Sequence, residues 1–347
     1  MNTNEKYMKR CLELARLGAG NVAPNPMVGC VIVFRNKIIG EGFHRKYRGA
    51  HAEVNAINSV KNQELLKYST LFVTLEPCAH FGLTPPCSDL IIEKQIPKVV
   101  IGTLDPFKTT GEKGVEKLKK AGIRVEAGVL EKECNEINRR FFTFHKKGRP
   151  YIILKWAQTQ DGFIDIDRNS EYYGKPTWIT GNLALRLVHK IRSEESAILV
   201  GRETVKKDNP SLSVRHWTGK NPLRLVIDNQ LQLQEDLNIF DSSEKTIVFN
   251  NLKNEDNGNI GYIKIDKTKN AISEILDELY RQNIISVIVE GGKQLLESFI
   301  ELQLWDEALI FTGPKFFSSG VQAPKLNGKL IASEYLDNDQ LFVFVAH

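Results

Sequence analysis

His51-Ala52-Glu53, Pro77-Cys78 and Cys87 are residue types that together could hold a metal and use it. One imidazole and two thiolates form a soft set of three ligands suited to Zn²⁺. Three protein ligands leave a fourth position open, as a catalytic zinc requires. A water in that position ionises at about pH 7. Glu53, two residues beyond the imidazole, is placed to take the water's proton and pass it to a leaving amine. The order His-x-Glu followed by Pro-Cys is the signature of zinc-dependent deamination. A structural zinc would call for a fourth ligand in the same run, and His80 is the residue that could supply it.

A second set lies in the C-terminal half. Val287-Ile288-Val289-Glu290-Gly291-Gly292 joins an apolar strand to a helix. Glycines at such a junction let a phosphate approach the backbone N–H groups of the helix start; the plain alternative is a tight strand–helix turn. No Gly-x-Gly-x-x-Gly follows a first strand, so a dinucleotide site here would not be of the Rossmann kind. Lys155 and Asp208 are polar residues at expected strand ends, where the sites of open α/β sheets form.

The elements that must position these residues follow from periodicity. In the first half, Tyr7, Cys11, Leu14, Ala15 and Leu17 recur at helical spacing. Val28 to Phe34 and Ile38 to Phe43 read as a hairpin turning at Asn36-Lys37. A helix from His51 to Val60 carries the imidazole and Glu53 in its first turn, and a buried strand, Thr70 to Leu75, ends at the Glu76-Pro77-Cys78 loop. Pro86 suits the first turn of a helix running through Cys87 to Lys94. Strands at 99–102 and 124–127, a helix at 111–121 and one closing helix from Glu131 to Thr143 complete a three-layer α/β/α domain. The polar run Lys146-Lys147-Gly148-Arg149-Pro150 breaks the pattern, dividing the chain into domains 1–147 and 148–347. The second half restarts with the strand Tyr151 to Trp156. Further strands (197–200, 223–227, 246–249, 284–289, 308–311, 341–345) and helices (182–192, 272–280, 294–300) predict α/β with a mainly parallel sheet. Gln230 to Asp266, rich in Asn, Asp, Lys and Gln, reads as peripheral and without chemistry of its own.

The 347 residues are too many for one ordinary core, which agrees with two domains. A hydrophobic fraction of 41% and a charged fraction of 26% are those of a globular protein. The net charge of +5 is scattered, which argues against nucleic-acid binding and suits anionic small molecules. The start lacks the apolar core of a signal peptide, and no run approaches the about 18 apolar residues of a membrane span. Of five cysteines, Cys78 and Cys87 are taken by the metal set, and Cys11 and Cys30 read as small core residues, so the cytoplasm is the expected compartment.

Eight residues separate Cys78 from Cys87, where nucleoside and nucleic-acid deaminases have two. This spacing resembles the deaminase half of the bifunctional deaminase/reductase family of riboflavin biosynthesis. Pro24-Asn25-Pro26-Met27-Val28-Gly29-Cys30-Val31 and Gly40-Glu41-Gly42-Phe43-His44 match the same family. So do Thr177-Trp178-Ile179-Thr180-Gly181, Ile198-Leu199-Val200-Gly201 and Asp208-Asn209-Pro210-Ser211-Leu212-Ser213-Val214-Arg215 in the reductase half. The resemblance covers nearly the whole chain. It implies a cytidine-deaminase-like α/β/α domain followed by a dihydrofolate-reductase-like α/β domain, with Zn²⁺ and NADPH as cofactors and a phosphorylated pyrimidine as substrate. The first domain would deaminate a diaminopyrimidinone ribosyl phosphate, and the second would reduce the ribosyl chain to ribityl.

By that resemblance, His51, Cys78 and Cys87 hold the zinc, Glu53, Lys155 and Asp208 carry catalysis, and Asn25 and His44 hold the pyrimidine. Ala157, Trp178, Thr204 and Asp208 border the nicotinamide and its ribose, while Gly291, Gly292, Lys293 and Gln294 hold the pyrophosphate. Arg192, Leu212, Arg215 and Glu290 face the substrate, with the arginines near its phosphate, since a guanidinium grips phosphate bidentately. The chain departs from the family's usual pattern at Thr159-Gln160 for Ser-Leu, at Leu83 for a cation, at Arg202-Glu203-Thr204 for x-Gly-Thr, and at Pro176, where a Ser would touch substrate. Thr177 could take over that contact, and His44, Arg45, Lys46 or Arg48 could replace the cation. Two rivals remain: a monofunctional zinc deaminase with a non-redox C-terminal binding domain, and a zinc-stabilised sensor with no enzymatic role. A homo-oligomer is compatible with the sequence.

Overall fold

A computed structural model describes residues 3–81, 85–105, 111–168 and 173–347, the side chains of 111–113 excepted. It contains two compact units, Met1–Gly148 and Arg149–His347.

The N-terminal unit opens with α1 (Thr3–Arg16), whose buried stripe is Tyr7, Met8, Cys11, Leu12, Leu14 and Ala15. Strands β1 (Gly29–Phe34) and β2 (Lys37–Phe43) form a hairpin. Its turn, Arg35-Asn36, has both φ angles positive at 47° and 61°, as a tight two-residue connection demands. There follow α2 (Ala52–Ser59), β3 (Thr70–Leu75), α3 (Cys87–Glu93), β4 (Lys98–Thr103), α4 (Gly111–Lys120), β5 (Arg124–Ala127), α5 (Glu131–Ile137) and α6 (Arg139–Lys147). The sheet order is β2-β1-β3-β4-β5, antiparallel across β2, β1 and β3 and parallel from β3 to β5. Period-two alternation sends Cys30 and Ile32 to one face, against Ala56, Ile57 and Ile91. Val31 and Val33 go to the other, against Met8, Cys11 and Cys134. Two cores thus sandwich one sheet, giving three layers. Gly42 is required where β2 meets α2, because a Cβ there would lie 2.3 Å from the Ala56 nitrogen.

The single closing helix expected from Glu131 to Thr143 is two helices broken at Asn138. Asn138, 2% exposed, spends its amide on a distant loop. Its Oδ1 accepts from the Met27 N–H at 2.8 Å and its Nδ2 donates to the Met27 carbonyl at 2.9 Å. Amphipathic spacing continues across the break and conceals it.

The C-terminal unit comprises β6 (Tyr151–Gln158), β7 (Phe163–Asp165), α7 (Asn182–Glu194), β8 (Ala197–Gly201), α8 (Arg202–Asp208), β9 (Leu223–Ile227), β10 (Thr246–Asn250), β11 (Glu255–Asn257), β12 (Ile260–Lys264), α9 (Ala271–Arg281), β13 (Ser286–Val289), α10 (Lys293–Glu301), β14 (Glu307–Thr312), β15 (Val321–Gln322), β16 (Lys329–Leu336) and β17 (Asp339–Val345). Its main sheet runs β11-β12-β10-β9-β8-β13-β6-β14-β17-β16, parallel from β12 through β14 and antiparallel at both margins. Helices α9 and α10 cover one face through Ile275, Leu279, Leu296 and Phe299. Helices α7 and α8 cover the other through Ala184, Val188 and Val205. The Arg202-Glu203-Thr204 departure lies in a short helix rather than an altered loop. Asn209, left-handed at φ 42°, ends it, and Pro210 cannot prolong it. Among the described residues no helix is long and apolar enough to cross a membrane.

Candidate active sites

In the N-terminal unit, His51 is the residue immediately before α2, Cys78 follows β3, and Cys87 opens α3. The ligand atoms of all three lie within 4.8 Å of one another, and among the described residues they are the one such group. The His51 Nδ1 is 3.6 Å from the Cys78 Sγ and 3.3 Å from the Cys87 Sγ. A tetrahedral zinc with Zn–S of ~2.3 Å and Zn–N of ~2.0 Å requires sulfur–nitrogen edges of ~3.5 Å, so the donor set fits that ion. His80 is exposed and outside the group, which removes the four-ligand structural alternative.

Electrostatics favour a cation here. Cys78 is pushed down to about 4, first by a hydrogen bond from the Cys87 thiol, then by His51 and by the Cys87 backbone N–H, which donates to Cys78 Sγ at 3.3 Å. The same bond, with burial, pushes Cys87 far up. The lowered Cys78 thiol offers a thiolate to a divalent ion. His51 is raised, chiefly by its bond with Cys78. Glu53, 3% exposed, is pushed up to about 7 by burial, helped by the nearby Cys78 charge.

Asn25 and His44 meet at the same place. The His44 ring lies edge-on to His51 with centroids 5.5 Å apart. Its Nδ1 must donate, because its partner at 3.0 Å is the Ala50 carbonyl. Its Nε2 therefore accepts from Asn25 Nδ2 at 3.1 Å. Burial lowers the His44 pKa and keeps this neutral form. Two supporting residues escaped the sequence reading. Asn138 fixes Met27 and with it the Asn25 loop. Glu76, 5% exposed, accepts from the Val115 N–H at 2.9 Å and ties the Cys78 loop to α4. Leu83 lies outside the described residues.

In the C-terminal unit a cavity of about 930 Å³ opens at the carboxyl ends of the parallel strands. Ten of the expected residues line it: Lys155, Ala157, Pro176, Thr204, Asp208, Glu290, Gly291, Gly292, Lys293 and Gln294. Thr204 and Gly292 touch, the Gly292 N–H donating to Thr204 Oγ1 at 2.9 Å. Lys293 and Gln294 open α10 beside them, and the free N–H groups of a helix start attract phosphate. Gln230 and Asn251, from the segment expected to be peripheral, also line the cavity, as does Asn229 just before it.

Two of the lining residues, Lys155 and Glu290, belong to a buried ion network with Arg192. Glu290 Oε2 is 3.2 Å from Lys155 Nζ, and Arg192 grips Glu290 through Nε at 2.7 Å and Nη2 at 2.9 Å. Burial alone would raise Glu290. The Arg192 and Lys155 charges outweigh it and hold the carboxyl well below the usual carboxylate range. Arg192 therefore acts through Glu290 and is not a cavity-lining group. Arg215 is exposed outside the lining, its Nη1 on Ser213 Oγ at 3.1 Å and its backbone N–H on His189 Nδ1 at 3.0 Å. Leu212 does not present its side chain to a ligand. It is 3% exposed, in the core, with φ at 54°. Trp178 is 55% exposed and also outside the lining. Asp208, expected at a strand end, is instead the last residue of α8; it shares the cavity of Lys155 and Glu290 and pairs with Arg168 at 2.8 Å. Gln160, at a position usually Leu in the resembled family, is exposed, which explains why a polar residue is accepted there.

A family model described as the cytidine and deoxycytidylate deaminase zinc-binding region matches residues 1–103, and one described as the RibD C-terminal domain matches residues 150–341. The riboflavin biosynthesis protein RibD of Aquifex aeolicus is 41% identical over 331 residues, covering 92% of this chain and 89% of that protein. RibD of Bacillus amyloliquefaciens is 38% identical, with 93% and 87% covered. Among solved structures, a diaminohydroxyphosphoribosylaminopyrimidine deaminase/5-amino-6-(5-phosphoribosylamino)uracil reductase from Thermotoga maritima superposes with a TM-score of 0.90 at 38% identity over 99% of both chains. Acinetobacter baumannii RibD gives 0.90 at 31% identity, again over 99% of both.

Proposed function

Because this chain belongs to the RibD family of riboflavin-biosynthesis proteins, we propose that it deaminates a diaminopyrimidinone ribosyl phosphate in its N-terminal unit and reduces the product's ribosyl chain with NADPH in its C-terminal unit. The observation that carries the reading is the pairing of a zinc-fitting His51–Cys78–Cys87 triangle with a buried Glu53. The two rivals fall short: a structural zinc module has no use for that glutamate, and the relatives align through both halves.

His51, Cys78 and Cys87 would hold zinc, which when bound supplies a water activated at neutral pH. Glu53 carries the proton. Buried two residues from His51, it is placed to accept from the water and then donate to the departing amine. His44 and Asn25 orient the pyrimidine. Their mutual bond uses one of the two Asn25 Nδ2 hydrogens and leaves the Asn25 carbonyl as an acceptor for a ring amine.

In the second unit, Thr204, Gly291, Gly292 and the start of α10 would seat NADPH, whose chemistry when bound is hydride donation. Lys155, held by Glu290, is the lining cation able to protonate the ribose ring oxygen as the sugar opens. Asp208, in the same lining, orders ribose hydroxyls, and Thr177 fills the role left by Pro176. Arg215 recruits the substrate phosphate from the rim. Incubation with the diaminopyrimidinone ribosyl phosphate tests the proposal. Ammonia release without NADPH, then NADPH oxidation in proportion to the deaminated product, is expected. Deamination with no NADPH oxidation would reinstate the monofunctional alternative.

A further inference from the structure

We propose that Arg168 is a positioning residue of the reductase site, holding the Asp208 carboxylate in one fixed arrangement about NADPH. This rests on the cofactor placement above. No sequence motif marks Arg168, yet its side chain is only 3% exposed. Its Nε meets Asp165 Oδ1 at 2.9 Å. Its Nη1 donates to the carbonyls of Lys175 at 2.8 Å and Lys207 at 3.1 Å, and so stands 2.8 Å from Asp208 Oδ1 as an ion pair outside hydrogen-bond geometry, that oxygen having no other partner among the described residues. The same Asp165 oxygen accepts from Thr177 Oγ1 at 2.8 Å. Asp165, Arg168, Thr177 and Asp208 all line the cavity.

The physical need for such a residue comes from the place of Asp208. It is the last residue of α8, so its carboxylate stands at the negative end of the helix. Its side chain is 29% exposed, and it shares the region with a second acid, Asp165. Without a cation, the carboxylate would turn away to water or take up a proton. Arg168 supplies that cation and also satisfies the Lys207 carbonyl, one of the acceptors that the helix end leaves free. Its planar fork fixes direction as well as charge, and that separates it from a lysine.

A double-mutant cycle on the full chain, read by NADPH fluorescence titration, tests the inference. Asp208→Asn and Arg168→Ala should each weaken NADPH binding by about tenfold or more, the order of a hydrogen bond to a charged group. If Arg168 acts through Asp208, the double variant should bind NADPH no more weakly than Asp208→Asn alone. Multiplication of the two effects would overturn the inference and leave the cofactor placement standing. Unchanged binding by Asp208→Asn would overturn the placement itself, and the inference with it. Should Arg168→Ala not fold, Arg168→Lys serves in the same cycle. It keeps the charge and loses the fork, so binding should weaken by a smaller factor that again vanishes in the Asp208→Asn background. Wild-type affinity in Arg168→Lys would overturn the positioning role.

Discussion

Glu290→Gln isolates the energetics of the reductase site. Glutamine keeps the shape of Glu290 and removes its charge, leaving Lys155 and Arg192, 14% and 12% exposed, as neighbouring cations without their shared partner. Breaking a buried pair from one side costs about 3–5 kcal/mol. For a unit of this size each kcal/mol moves Tm by about 2–4 °C, so a fall of roughly 6–20 °C is expected for the C-terminal transition at pH 7. Acid dependence gives the sign. Glu290 is held below its ordinary range in the folded protein. Its contribution is therefore complete above the unfolded value of about 4.3 and disappears as pH falls toward the folded one. The gap between wild type and variant should be constant from about pH 8 to pH 5 and shrink below about pH 4. Scanning calorimetry across that range measures it, with NADPH oxidation lost in parallel. A fall under about 3 °C at pH 7, or a gap that widens on acidification, would refute the reasoning.

Other expectations follow from the deaminase geometry. Glu53→Gln should retain zinc while deamination falls by at least about 10²-fold, with reduction of pre-deaminated substrate continuing. Ammonia release at the wild-type rate would make the glutamate structural. Cys87→Ser should lower zinc content, measured by elemental analysis, together with deamination, and full metal retention would contradict the three-ligand set. Asn138→Ala strands both Met27 backbone groups, a loss of about 1–3 kcal/mol. It should raise KM for deamination more than it changes zinc content, and an unaltered KM would show that the Asn25 loop stands without it. A fragment ending at Gly148 should fold and release ammonia, as circular dichroism and the deaminase assay would register; a folded fragment holding zinc but inactive would show that deamination needs the second unit.

The metal triangle was legible because its residues sit where strands and helices meet, and motif spacing locates such junctions directly. Strands β1, β3, β6 and β8 declared themselves by short apolar runs. By contrast, β16 is exposed along seven of its eight residues, so no alternation betrays it. Arg168 and Asn138 were invisible for another reason. Each is an isolated polar residue whose role comes from partners that only folding brings near, Met27 being 111 positions from Asn138. At Leu212, where a motif position implied a ligand contact, the side chain itself supplies packing, so only its backbone is left for such a contact.

The Asn138–Met27 clasp has a bearing on how deaminases of this type can be shortened. The zinc-binding region proper ends near residue 103, and a chain trimmed to it would keep His51, Cys78, Cys87 and Glu53. It would nevertheless lose the amide that steadies the loop bearing Asn25. The loop that carries Asn25 is thus steadied from outside the stretch that carries the metal donors.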